Sequence, residues 1–376
     1  MKLIIDNSNL FAGGGLQVAA SFLRDLKQIE VNVDFHVIQS VSCADMMKYD
    51  VFPENFTIYN LEKSTEKSKY RRIKSVKNIE NAVIPDCIFT LFGPSYHKSK
   101  FPKIVGFAIP YIIYPDSPFF KKISLKEKLY YKIMSVIKTY SFKKYSDALI
   151  FETENARRIF MEKKNYRKQS FTVGNTLNEI FFKPDCWVDY ANVSNSSCNI
   201  LFLTANYPHK NMMILPEVIS VLKEKFNMQD FKFLITLPKS ILDFPQSAND
   251  HIEYLGKVEL EKIPSLYKQS DIVFIPTLLE VFSATYLEAM FMEKPIVASD
   301  LGFSRDICGD SAYFCEPTKA ESYAEGIFKV SHDQDFSDHL IKIGTKNLKR
   351  FGSSLDRTKN YMKIIDTLIK NYDNKR

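Results

Sequence analysis

The chain has 376 residues, 45% of them hydrophobic and 25% charged, with a net charge of +7. At ~150 residues per domain this length predicts two domains, since a single core rarely grows past about 250–300 residues. The balance excludes a disordered tail, a collagen and a disulfide miniprotein, and no run approaches the ~20 apolar residues of a membrane-spanning helix.

In chain order, residues 2–6 read as a short buried strand, followed by Gly13-Gly14-Gly15 and a helix over 16–26. In that helix Leu16, Ala19, Ala20, Leu23 and Leu26 recur at three- and four-residue steps. Further strands are predicted over 35–38, 87–92, 103–107 and 148–151, with a helix over 154–163. Residues 61–80 are highly charged and predict an exposed helix or loop; residues 124–145 are helical and basic. Near residue 183 the pattern breaks into turn formers, among them Pro184, Asn192, Ser194 and Asn195, which predicts a linker over 183–199. Alternation then restarts with strands over 200–204, 231–236, 253–255, 272–275 and 295–298 and helices over 212–226, 261–269 and 284–292. A last amphipathic helix carries Tyr361, Ile364, Ile365, Leu368 and Ile369 on its apolar side. The expected architecture is α/β, with two doubly wound domains facing a cleft. The expected boundaries are 1–182, a linker over 183–199, 200–354, and a helix over 355–376 that packs back on the first domain.

Six cysteines are dispersed without a Cys-x-x-Cys pair, so neither a zinc ribbon nor a redox motif is predicted, and free buried thiols are expected. The apolar run at residues 3–5 is too short for a signal peptide, which predicts a cytoplasmic chain. The excess of basic residues favours anionic partners. Eight lysines, one glutamate and five aromatic residues between 121 and 145 predict a basic amphipathic helix suited to an anionic membrane surface, on the inner face of the cytoplasmic membrane. A solvated helix face is the alternative. No nucleic-acid-binding pattern is present, so nucleic acid is not an expected partner.

The stretch 271–300 is the most informative. It reads strand, loop, helix, strand, with Glu280 in the loop and Glu288 in the helix. Ligands of open parallel sheets bind outside the carboxyl ends of strands. A helix starting near Ser283 would turn the backbone N–H groups of Ser283, Ala284 and Thr285 toward such a ligand, and a helix amino terminus holds phosphate. Two carboxylates beside it make sense as acceptors for sugar hydroxyls. By spacing alone, two surface glutamates explain the pattern as well.

The segment resembles the Glu-x7-Glu region of family-4 (group 1) retaining glycosyltransferases of the GT-B fold, bacterial surface-polysaccharide type. The residues that carry the resemblance are Glu280-Val281-Phe282-Ser283, Leu287-Glu288-Ala289-Met290 and Pro295-Ile296-Val297-Ala298-Ser299-Asp300, followed by Leu301-Gly302 and preceded by Tyr254-Leu255-Gly256-Lys257-Val258 and Leu266-Tyr267. It covers roughly 198–330 well and the first half loosely. It implies two Rossmann-like domains and transfer of a hexosyl group from a nucleotide sugar, UDP-linked first and GDP-linked second. The implied acceptor is a hydroxyl of a glycan or polyprenyl-linked oligosaccharide in capsule, O-antigen or lipooligosaccharide synthesis. It further implies that Glu280 contacts the donor sugar and Glu288 the ribose, that Phe282 and the backbone of 283–285 line the phosphates, and that Gly256 and Val258 border the base. Lys210, in Asn206-Tyr207-Pro208-His209-Lys210-Asn211, matches the family lysine that neutralises the departing diphosphate, with Asn206 beside the donor. Gly14 and Gly15 match a glycine loop near the donor phosphates; a plain tight turn is the alternative. Asn175 matches a segment at the hinge.

This chain departs from the pattern in three ways. Ala205 stands where an arginine is usual, Val281 and Ser283 replace loop glycines, and no histidine follows residues 103–107. His97 and Asp116 are the candidate acceptor contacts; for His97 a plain surface histidine is the alternative. There is no Asp-x-Asp motif, so no metal and no resident cofactor are expected. Front-face attack with retention is implied, with Lys210 and Glu280 at the reacting centre. Three rivals stand beside this reading. The first is a nucleotide-sugar epimerase, which the Glu-x7-Glu and lysine set disfavours. The second is a dinucleotide oxidoreductase, which lacks its glycine fingerprint. The third is a catalytically degenerate GT-B protein that binds glycan or membrane.

Overall fold

Several central strands of this chain are continuously apolar runs, among them Leu3-Ile4-Ile5, Ile272-Val273-Phe274-Ile275 and Ile296-Val297-Ala298. Strands of that kind need cover on both faces, which is the condition for parallel sheets flanked by helices. The computed structural model describes residues 1–191, 193, 196–242 and 244–373, and the strand pairings of its two sheets are parallel.

The first sheet contains β1 (Lys2–Asn7), β2 (Asp34–Gln39), β3 (Phe56–Asn60), β4 (Cys87–Thr90), β5 (Lys103–Phe107), β6 (Ala148–Phe151) and β7 (Gln169–Thr172), in the order β3-β2-β1-β4-β5-β6-β7. The second contains β8 (Asn199–Phe202), β9 (Lys232–Ile235), β10 (Ile252–Tyr254), β11 (Ile272–Ile275), β12 (Ile296–Ser299) and β13 (Ala312–Cys315), in the order β10-β9-β8-β11-β12-β13. Strand order reverses between β1 and β4 in one sheet and between β8 and β11 in the other, and such switch points are where open α/β sheets take ligands. The expected two Rossmann-like sheets are present, and the architecture is the GT-B fold. The sequence pattern does not predict β3, β7 and β13.

The chain divides into two units: residues 1–113, 126–175 and 353–376, and residues 114–125 and 176–352. The division differs from a boundary at 183–199. Within that stretch Trp187 and Tyr190 pack on the core of the second unit, Trp187 Nε1 donates to the Ile180 carbonyl at 2.7 Å, and Tyr190 N donates to Ser265 Oγ at 3.0 Å. Asn192, Ser194 and Asn195 of the stretch, and residues 374–376 of the tail, lie outside the described residues.

The helix Ser354–Asp373 belongs to the first unit, beside the helix Gly14–Leu26. Tyr361, Met362, Ile365 and Leu368 enter that unit's core, with the Tyr361 ring 5.5 Å from Phe22. Polar anchors fix its first turns. Thr358 Oγ1 donates to the buried Asp25 at 3.0 Å, and Arg357 donates to Asn175 Oδ1 and Ser21 Oγ, each at 2.5 Å.

Candidate functional site in the second unit

The loops after β8 and β11 leave adjacent strands, and two bonds to one carbonyl tie them together. The His209 carbonyl accepts from Leu278 N at 2.7 Å and from Thr277 Oγ1 at 3.2 Å. The β8 loop ends in a short turn, Pro208–Lys210, and Asn211 then takes a left-handed conformation with φ 61°. Asparagine tolerates that region because it lies low in energy for short polar side chains. The buried Asn211 amide is held at both ends: Lys122 Nζ donates to its Oδ1 at 2.5 Å, and its Nδ2 donates to the Pro317 carbonyl at 3.4 Å.

These ties bring Lys210 onto Glu280. Lys210 Nζ donates to Glu280 Oε1 at 2.6 Å, and His209 Nε2 lies 3.6 Å from the same oxygen. Both partners of the ion pair keep some access to solvent, at 17% and 16% exposure. Burial pushes the Glu280 carboxyl up, but the Lys210 charge and the His209 contact outweigh it and hold its pKa down at about 2. Glu280 is therefore an ionised acceptor at neutral pH.

Eight residues on, Glu288 faces a different environment. It lies on the helix Ala284–Phe291, whose Tyr286, Leu287, Ala289 and Met290 are buried in the core. Tyr267 Oη donates to Glu288 Oε2 at 2.8 Å. Burial raises the Glu288 pKa to about 7, against the opposing effects of the Tyr267 bond and the Lys210 charge. One carboxylate is thus firmly charged and its neighbour titrates near neutrality. The amino terminus of this helix has no side-chain cap, since the Ser283 hydroxyl turns toward Thr285 Oγ1 at 3.5 Å. Its first N–H groups and the positive end of its dipole remain available for an anion.

Residues 246–347 match the family model for group 1 glycosyl transferases. The second unit carries a group 1 glycosyltransferase domain. The domain holds β10 to β13, Glu280, Glu288 and the helix terminus between them; Lys210 precedes it. An uncharacterized glycosyltransferase of Methanocaldococcus jannaschii is 29% identical over 99 residues, 26% of this chain and 25% of that protein. The O-antigen chain mannosyltransferase RfbU of Salmonella typhimurium is 20% identical over 158 residues, 40% of this chain and 44% of that protein. These matches span less than half the length of either relative. Among solved structures, sucrose-phosphate synthase from Thermosynechococcus elongatus superposes over 99% of this chain and 100% of its own, with TM-score 0.72 and 12% identity. HepE of Anabaena in complex with UDP superposes over 97% and 99%, with TM-score 0.68 and 12% identity.

The remaining expected site residues of the domain and its unit fall as follows. Gly256 has φ +69°, a conformation that favours glycine, after Leu255 N bonds the Ile235 carbonyl at 2.8 Å. Val258 and Phe282 pack against the apolar core and remain partly exposed. Val281, in the place of a family glycine, is buried, and its side chain points into the unit. Asn206 and Asp116 are exposed. Ala205 supplies no charge, and the side chain beside Lys210 that also borders Glu280 is His209. Tyr267 is visible in the sequence only as part of a motif; its hydrogen bond to Glu288 emerges from the packing of two helices.

In the first unit, Gly13 rather than Gly14 or Gly15 carries the positive φ, 75°, and serves as the amino cap of the helix Gly14–Leu26. A Cβ on Gly14 would meet nothing within 4 Å, and one on Gly15 would sit at an ordinary 3.4 Å from Leu10. His97 is not an open acceptor contact. It is buried, and its Nε2 lies 2.7 Å from Glu80 Oε1 and 3.0 Å from Lys103 Nζ. That nitrogen is committed to an internal network.

Proposed function

We propose that this chain is a glycosyltransferase that moves a hexosyl group from a nucleoside diphosphate sugar, UDP-linked by preference, to a hydroxyl of a glycan or lipid-linked oligosaccharide. The observation that carries the reading is the Lys210–Glu280 pair lying beside an uncapped helix terminus at a sheet switch point. The relatives and structural neighbours lend support: O-antigen chain mannosyltransferases among the former, and HepE with UDP and with UDP-glucose among the latter. They favour a role in surface-polysaccharide synthesis.

In this reading the helix terminus takes the distal phosphate, and Lys210 meets the negative charge that grows as the sugar–oxygen bond to the diphosphate breaks. Glu280 accepts from donor-sugar hydroxyls, and it also holds the Lys210 ammonium in place until phosphate competes for it. Glu288, oriented by Tyr267, takes the ribose hydroxyls. Retention follows if the acceptor oxygen bonds the anomeric carbon on the face the diphosphate leaves, with a diphosphate oxygen taking the acceptor proton. A chelator added to the transfer assay tests the accompanying expectation of metal independence.

The deciding experiment is a thermal-shift panel with UDP, GDP, ADP, CMP and their sugars, repeated on Glu288→Ala. A ligand that binds only the folded chain at a hundredfold excess over Kd adds about 2.7 kcal/mol of apparent stability. A shift with uridine ligands that the variant loses supports the donor site and the ribose role. Absence of any shift sinks the enzyme reading. Binding without turnover favours the degenerate alternative, for which Ala205 in the arginine position is the specific observation.

A further inference from the structure

Residues 114–125 interrupt the first unit in sequence but belong to the second. Their local form follows from Ser117-Pro118. The Ser117 hydroxyl accepts from Phe119 N at 3.2 Å and caps a short turn over Pro118–Lys121. Proline takes the first position of that turn, where its missing N–H costs nothing. The Lys122 N–H closes the turn on the Phe119 carbonyl at 3.0 Å.

Three contacts hold this turn against the loops after β8 and β11. Ser117 Oγ donates to the Leu278 carbonyl at 2.6 Å, while the Leu278 N–H is bonded to the His209 carbonyl, so Leu278 is fixed from both sides. The Phe119 ring meets the His209 ring edge-on, with centres 6.3 Å apart. Lys122 Nζ donates at 2.5 Å to Oδ1 of Asn211, the residue after Lys210. The turn is a third wall for the loops that carry Lys210 and Glu280.

The charges of those two loops do not match a diphosphate. Lys210 is paired with the ionised Glu280, so the pair is neutral as a whole. A diphosphate carries more than one negative charge and gains another as its bond to the sugar breaks. Ala205 adds nothing, and His209 already borders Glu280 and packs against the rings of Tyr207 and Phe119. Lys122 differs from these groups. It is exposed, and its ammonium rests on a neutral amide oxygen. Among the described residues it forms no ion pair, either with Asp116 of its own segment or with Glu217, whose charge it feels. Desolvation lowers its pKa, and Glu217 only partly opposes that. An anionic oxygen makes a stronger bond to an ammonium than an amide oxygen does. A brace for Asn211 needs only a donor, which a neutral side chain could supply.

We propose that Lys122 is the second cation of the donor site, leaving the Asn211 amide to bond a phosphate oxygen of the nucleoside diphosphate. The inference rests on the donor-site reading above and extends it to a residue outside the family-matched stretch.

The test is titration calorimetry of the full chain with UDP, GDP, inorganic pyrophosphate, uridine and guanosine. It is run on wild type, Lys122→Gln, Lys122→Arg and Lys121→Gln. Lys122→Gln is expected to weaken pyrophosphate, and whichever of UDP and GDP the wild type binds, by about tenfold or more. Affinity for the matching nucleoside should not change, and nucleotide affinity should fall less steeply with salt than in wild type. Lys122→Arg keeps the charge and is expected to retain most of the affinity. Lys121→Gln, at the neighbouring exposed lysine, should match wild type. Unchanged melting of the unliganded variants serves as the folding control. Equal nucleotide and pyrophosphate affinity in Lys122→Gln and wild type overturns the inference and leaves the donor reading standing. An equal loss for the nucleoside also overturns it, since Lys122 would then shape the loops rather than meet phosphate. A wild type that binds no nucleotide and no pyrophosphate overturns the donor reading and this inference together.

Discussion

Each unit holds a lysine, a glutamate and a histidine on one carboxylate oxygen, and the two clusters differ in what surrounds them. In the first unit, Glu80 Oε1 takes Lys103 Nζ at 3.1 Å and lies 2.7 Å from His97 Nε2, with Ser95 Oγ also bonded to the ammonium. Lys103 and Glu80 are 1% and 4% exposed. In the second unit, Glu280 takes Lys210 and His209 at 17% and 16% exposure for the ion pair, in loops rather than on a strand and a helix. Burial raises the Glu80 carboxyl, and His97 and Lys103 more than reverse it. The same is true of Glu280. What separates them is access: a closed cluster has nothing further to bind, whereas an open ion pair can exchange a carboxylate for a phosphate. The first cluster is suited to holding the fold, and the second is the one open to the ligand chemistry proposed for it.

The largest expected effect breaks the closed cluster. Lys103→Met leaves Glu80 charged and buried with only His97 beside it. Removing one partner of a buried pair costs about 3–5 kcal/mol, read as a shift of the urea midpoint. Adding Glu80→Leu to that variant is expected to recover much of the loss, because both charges are then gone. If the double variant is no better than the single one, the cluster holds something other than itself. The open cluster should respond in the opposite sense. Lys210→Ala is expected to change stability by less than about 1 kcal/mol, as for a partly solvated pair. It should lower sugar transfer by about 10²–10³-fold, the usual scale for losing one group that stabilises developing charge. A stability loss matching that of Lys103→Met would erase the distinction.

Glu288 sharpens the contrast through pH. Its pKa in the folded chain is about 7, above its ordinary 4.5. The folded state therefore holds more protons than the unfolded state between these values. Stability falls as pH rises through that window, by at most about 1.4 kcal/mol per pH unit from this group. Glu288→Gln should flatten the slope between about pH 4.5 and 7 relative to wild type. Glu280 acts with the other sign: its lowered pKa stabilises the fold above the ordinary carboxylate value and is lost as pH falls toward 2. Tyr267→Phe removes the hydroxyl that orients Glu288. Above about pH 7, where Glu288 is charged, such a bond is worth about 1.5–3 kcal/mol, and most of it should appear as weaker nucleotide binding rather than lower turnover. Equal UDP affinity in Tyr267→Phe and wild type would leave the tyrosine a core residue only.

How legible each part of the molecule is in its sequence depends on how local its cause is. Strands such as 272–275 and 295–298 are legible because a buried parallel strand is an unbroken apolar run, and the Glu280 to Asp300 segment is legible because loop, helix and strand follow within a short stretch. β3 (Phe-Thr-Ile-Tyr-Asn) and β7 (Gln-Ser-Phe-Thr) escape the pattern because they form the two edges of the first sheet, where polar residues interrupt the run. His97 misleads because an isolated histidine has no local signature of burial. Its partners Glu80 and Lys103 lie on other elements and meet it only through the fold of the first unit. The Lys210–Glu280 contact, 70 residues apart, is of the same kind. The helix 125–145 is legible as basic and aromatic, but which side faces outward depends on what packs beneath it.

The smallest expected effect concerns the glycine run, and it separates a turn from a ligand contact. Only Gly13 has a φ that a side chain resists, so Gly13→Ala should cost stability. Gly14 opens a helix in open space, and there Gly14→Ala should leave stability unchanged or raise it by about 0.4–1 kcal/mol, by narrowing the unfolded ensemble. Folding alone therefore gives no reason for glycine at position 14. If a ligand approaches the backbone there, as the family resemblance implies, the added methyl group should weaken UDP-sugar binding or transfer while the melting temperature holds or rises. If both binding and transfer match wild type, the run is a tight turn with one indispensable glycine, and donor recognition rests on the loops after β8 and β11.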